Sequence, residues 1–190
     1  TGSSGTTSFS NLAVTTSGLL PIDATPTCPG GVSGGEAGRL FPVDGSTARI
    51  VTATTPDARG VLAANTQVGL CHHLEEGMEA MRLALTEPLV SSPDDARTAL
   101  PADGNAGFLR REAQLGVTFV SEEDDHSGYP VDRYEELLKE LKGANGAIVS
   151  AIAATDPACA GTSGMATRYV ELARRMGGVA ESICAPDWRQ

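Results

Sequence analysis

The chain has 190 residues, 41% hydrophobic and 20% charged, which is enough for one buried core and unlike a disordered segment. Its net charge of −10, with no run of Lys or Arg, argues against nucleic acid and anionic membrane as partners, since both are held through basic patches. No apolar stretch reaches 18 residues, so no direct membrane span is expected.

Thr1-Gly2-Ser3-Ser4-Gly5-Thr6-Thr7 opens the chain in a composition typical of a linker or a cut end. Residues 1–10 are therefore set apart, and residues 11–190 are expected to form a single α/β domain. Asn11 to Thr16 is a short strand candidate. Gly18 to Gly45 is rich in Gly and Pro and is expected to be a long loop around Cys28. Ala48 to Ala53 is β-branched enough for a second strand, and Pro56 can open a short helix through about Ala64.

Leu74, Met78, Met81 and Leu85 fall on one face of an amphipathic helix that Pro88 stops. Residues 87–106 form a polar loop. Leu115 to Val120 has the pattern of a buried strand, and Glu122-Glu123-Asp124-Asp125 follows it. Pro130 starts a helix that presents Tyr134, Leu137, Leu138 and Leu141 and closes at Gly143. Ala147 to Ala153 is wholly apolar but for Ser150, as in a strand buried on both faces of a parallel sheet. Thr162 or Ser163 can cap a third helix, with Met165 and Met176 at core spacing, and Val179 to Cys184 is a last strand.

Strand and helix alternating with short connections imply right-handed crossovers and a mostly parallel sheet with helices on both faces. In such sheets ligands sit at the carboxyl ends of the strands. The acidic loop, the Cys159 loop and Cys184 all fall at that edge, as does the helix start after Val68-Gly69-Leu70-Cys71-His72-His73. The four cysteines contain no CxxC pair, which favours the disulfides of an exported protein over zinc, with free buried thiols as the alternative. Placement at one edge pairs Cys28 with Cys71 and Cys159 with Cys184.

Four carboxylates in a row repel one another unless a cation or a basic partner relieves them. Three readings follow: a Mg²⁺ or Ca²⁺ site on Glu122, Asp124, Asp125 and Ser127; a docking edge for Arg and Lys, with His72 and His73 beside it; or a solvated loop preceding a helix. His72 and His73 are neighbours on a helix start and point apart, so a shared transition metal is disfavoured. Neither a P-loop nor a Gly-x-Gly-x-x-Gly fingerprint occurs, and no enzyme is expected. A metal-dependent hydrolase drawing on Asp23, Asp44 or Asp156 with His126 ranks last.

Several segments resemble the von Willebrand factor A domains of bacterial surface proteins. They are Val68-Gly69 with Glu75 to Leu85, Gly107-Phe108-Leu109-Arg110 leading to Ser121-Glu122-Glu123-Asp124-Asp125-His126-Ser127, the terminal Ser182 to Trp188, and Asn11 to Ser17. The resemblance implies a doubly wound, Rossmann-like α/β sheet with a metal-ion-dependent adhesion site, taking an Asp-x-Ser-x-Ser motif, a Thr and an Asp as ligands to Mg²⁺ or Ca²⁺. The chain departs from that pattern in three places. No Asp-x-Ser-x-Ser occurs, the Thr position falls near Leu70 and Cys71, and the Asp position falls on Glu122. The family's first strand has no counterpart in these residues, so an upstream segment or another chain would have to supply it. The function implied is a non-enzymatic protein-binding or adhesion module at the cell surface, outer membrane or periplasm. The alternative is a structural subunit that completes a larger surface assembly by strand complementation.

Overall fold

Two apolar runs set the frame. In the computed structural model, which describes residues 14–15, 37–42, 45–66, 75–95, 103–160 and 164–186, β3 (Leu115–Ser121) and β4 (Ala147–Ala153) run parallel over their full lengths, from Leu115 beside Ala147 to Ser121 beside Ala153. A short β5 (Ala180–Ser182) pairs parallel with the end of β4, giving the order β3-β4-β5. Separately, β1 (Val14–Thr15) and β2 (Leu40–Phe41) form an antiparallel pair.

The helices are α1 (Ala58–Asn65), α2 (Gly77–Leu85), α3 (Val131–Lys142), the single turn α4 (Pro157–Ala160) and α5 (Thr167–Arg175). Their apolar spacing predicts what they bury. Met78, Met81 and Leu85 of α2, Tyr134 and Leu138 of α3, and Tyr169 and Leu172 of α5 meet Leu115, Phe119, Ala147, Val149, Ala151 and Ala153 in one core. The rings of Phe119 and Tyr169 lie 4.7 Å apart.

That core occupies one face of the sheet. The expected helical layer on the other face is not among the described residues, and the topology gives the reason. The strands β3, β4 and β5 are added in one direction, and two right-handed crossovers in one direction put α3 and α5 on the same side. As a result β4, though apolar, alternates in burial, with Val149 fully buried and Ile148 39% exposed on the face opposite the described helices.

Three other expectations change. Ala48 to Ala53 is no strand: only Val51 makes a bridge, and the threonines bond locally instead, Thr52 N–H to Thr55 Oγ1 at 2.9 Å and Thr54 N–H to Thr52 Oγ1 at 3.3 Å. Hydroxyls that serve their own backbone compete with a ladder. The strand falls at Leu40–Phe41 instead, inside what the sequence presents as loop. Met165 is 42% exposed because α5 begins only at Thr167.

Asn105 ties the β2 segment to α2. Its side chain accepts the Leu40 N–H at 3.1 Å and donates to the carbonyls of Gly38, at 2.9 Å, and Ala84, at 3.1 Å. Gly38 is required there twice over. Its φ is +81°, and a Cβ would come within 2.6 Å of the Ala84 nitrogen.

Candidate functional site

Helix α2 has no side-chain cap of its own, and Glu76 at its N-cap makes no such bond. Its first N–H groups nonetheless all have partners, each from a distant element. Gly77 N–H donates to Tyr169 Oη at 3.0 Å, Met78 N–H to Asp125 Oδ1 at 3.0 Å and Glu79 N–H to Ser127 Oγ at 2.9 Å. Helix α5 is served in the same way. Arg168 N–H donates to Asp124 Oδ1 at 2.8 Å, and the Thr167 hydroxyl donates to Asp124 Oδ2 at 2.6 Å. The loop after β3 thus caps two helices at once, where carboxylates oppose the positive ends of the helix dipoles.

A third partner completes the neutralisation. The Arg168 guanidinium lies on Asp125, with Nε and Nη2 at 3.1 and 3.0 Å from Oδ2, and also donates to the carbonyls of Ser127 at 3.1 Å and Tyr129 at 2.6 Å. The Asp125 side chain is wholly buried. The Ser127 hydroxyl donates to Asp125 Oδ1 at 2.7 Å. The cation beside the buried member of the acidic run, Asp125, is therefore the chain's own Arg168.

The structure brings together three of the four residues proposed to hold a metal: Asp124, Asp125 and Ser127. The fourth, Glu122, is exposed and turned to solvent. A Mg²⁺ or Ca²⁺ ion would need oxygens now bonded to Met78, Arg168 and Thr167, so the residues do not fit that group as arranged. Among the described residues no cluster of three or more His, Cys, Asp or Glu side chains is placed to hold a metal. His72, His73, Cys28 and Cys71 lie outside the described residues, and with them the Cys28–Cys71 pairing. Cys159 and Cys184 are joined as expected from the sequence, with Cα atoms 5.7 Å apart.

What remains outward at this edge is a mixed rim. Glu122, His126 and Tyr129 are exposed, Glu123 is half-buried, and Met165 stands by the start of α5. Arg168 is the residue of this site that sequence reasoning missed. A signal was there: an arginine in the first turn of a helix opposes the dipole and calls for a carboxylate partner.

Below the loop, Tyr134 is buried and its hydroxyl donates to Glu79 Oε2 at 3.2 Å. Burial first, and the Glu79 charge among the lesser causes, push its phenol up to about 12. A phenol raised in the fold above its usual value of about 10 favours the neutral form. Its stabilising share is complete below about pH 10 and is lost as pH rises from there through about 12. We expect unfolding midpoints to fall over that interval, and Tyr134→Phe to flatten the fall in alkaline denaturation followed by circular dichroism. An equal slope in the variant would remove Tyr134 from the account.

Compared with known proteins, the chain matches no family model, no curated protein and no solved structure.

Proposed function

We propose that the chain is a non-enzymatic protein-binding domain of an exported, surface-associated protein, resembling von Willebrand factor A domains, and that it meets its ligand at the carboxyl edge of the parallel sheet. The observation that carries this reading is the division of labour in the acidic loop. Asp124, Asp125 and Ser127 are bonded to helix ends and Arg168, and this leaves Glu122, Glu123, His126 and Tyr129 on the outer rim. Carboxylates beside an aromatic ring suit a basic, partly apolar protein surface. The Cys159–Cys184 bridge supports an exported setting. No described helix is long and apolar enough to cross a membrane. The binding does not rely on a divalent cation.

A Lys-rich peptide is the probe. Replacing Glu122 and Glu123 by Gln is expected to weaken its binding roughly five-fold, as two rim charges of about 0.5 kcal/mol each require. Replacing Glu136 and Glu140 by Gln, on α3, should leave it unchanged. Equal loss in both pairs would reduce the rim to bulk charge. Calcium titration by calorimetry is expected to show no stoichiometric uptake, and uptake abolished by Glu122→Ala would return the cation to the site.

A second reading, a subunit whose sheet is completed by another chain, is favoured by one observation. Among the described residues β3 pairs with β4 alone, and no described strand lies along its other edge.

A further inference from the structure

The Leu115 N–H donates to the Gly146 carbonyl, which fixes the alternation along β3. Residues 115, 117, 119 and 121 bond to β4, while the N–H and C=O groups of Gly116, Thr118 and Val120 point to the open side. All three residues are exposed, Val120 to 64%, and no described residue bonds their backbone groups. Next to them on the face opposite the described helices lie Ile148, beside Gly116, and Ile152, beside Val120. An edge without a described partner, flanked by apolar side chains that are exposed at Ile148 and half-buried at Ile152, is a surface that invites a strand.

We propose that this edge pairs with β3 of a second copy of the chain, antiparallel and centred on Thr118; the proposal rests on the second reading above. Three features of the strand favour a copy of itself. A two-fold axis at Thr118 sets Thr118 against its twin and Gly116 against Val120 of the other copy, so each pair exchanges two backbone hydrogen bonds. The Val120 side chain then packs over the notch left by Gly116, in line with Ile148 on the same face, so that apolar side chains of both copies lie along one stripe. Leu115 to Ser121 also carries no charge, so two chains of net charge −10 can meet there without opposing like charges along the strand. Past its end, Glu122 comes opposite Gln114 of the other copy, whose amide can donate to it.

The two three-stranded sheets become one of six, in the order β5-β4-β3-β3-β4-β5. Light scattering on the full chain is expected to give a dimer. Thr118→Pro removes an outward N–H without touching the β3–β4 ladder, and Val120→Lys puts a charge in the notch. Both variants should be monomers with unchanged circular dichroism. A dimer that survives both overturns the edge pairing. A monomeric wild type overturns the inference, and amide exchange then separates it from the reading beneath. Fast exchange at Gly116, Thr118 and Val120 leaves the edge open to a different chain, whereas slow exchange there removes the second reading as well.

Discussion

Replacing Asp125 by Ala is expected to lower the free energy of unfolding by about 3 kcal/mol or more, the range for breaking a buried ion pair from one side. The side chain is fully buried, whereas that of its partner Arg168 keeps 27% of its exposure, which places the effect toward the lower part of that range. The substitution also strips the acceptor from Met78 N–H at the start of α2 and from the Ser127 hydroxyl. Against a total stability of about 5–15 kcal/mol, that is a large fraction. In urea the midpoint should fall by about 1 M or more, with a slope of about 1–3 kcal/mol per molar. Two neighbours calibrate the result. Asp124→Ala, which removes a more exposed helix cap, should cost about 1 kcal/mol. Glu122→Ala, at an exposed position, should stay within about 0.5 kcal/mol. If Glu122 proved the most costly of the three, the internal role given to Asp125 would be wrong.

Breaking the Cys159–Cys184 bridge is expected to have a comparable effect. The two residues are 25 apart in sequence, and in the chain-entropy account a loop of that size contributes about 3 kcal/mol by restricting the unfolded chain. The loop it closes runs from just after β4, through α5, to just after β5. β5 has three residues and, among the described strands, one neighbour, so it relies on the bridge more than β4 does. Cys184→Ser, or mild reduction of the wild type, should therefore lower the thermal midpoint by roughly 5 °C or more. Exchange should quicken first at the Ile183 amide, which donates to the Ala153 carbonyl at 2.9 Å. A variant that unfolds like the wild type would show that the packing of α5 alone holds that edge.

The parts of this fold legible in the sequence are those set by near neighbours. The spacing of Met78, Met81 and Leu85, of Tyr134 and Leu138, and of the runs at Leu115 and Ala147 gave helices and strands that the structure contains, because burial on one face repeats at short range. The pairing of Cys159 with Cys184 followed from knowing which ends of those elements share an edge. Less was legible where partners come from far along the chain. β2 is two residues long, and Asn105 holds it from 65 positions away. The placing of α3 and α5 on one face of the sheet depends on crossover direction, which the composition of β4 does not encode. The acidic loop is the clearest case. Four carboxylates in a row leave a bound ion, a partner or a solvated loop open, and the contact of Asp125 with Arg168, more than 40 residues later, is not legible in them. The von Willebrand factor A resemblance rests on the sequence alone, and the function it implies stays a proposal.

The borrowed caps of α2 also bear on how the chain can fold as it is made. Nine residues are too few for a helix to persist in water without outside support. Its supports lie 47, 48 and 92 positions downstream, at Asp125, Ser127 and Tyr169. On a ribosome adding about 5–20 residues per second, several seconds separate the synthesis of α2 from that of Tyr169. Throughout that interval Met78, Met81 and Leu85 have no finished core to enter, and the apolar face of α2 is open to chaperones or to misplaced contacts until α5 has been made.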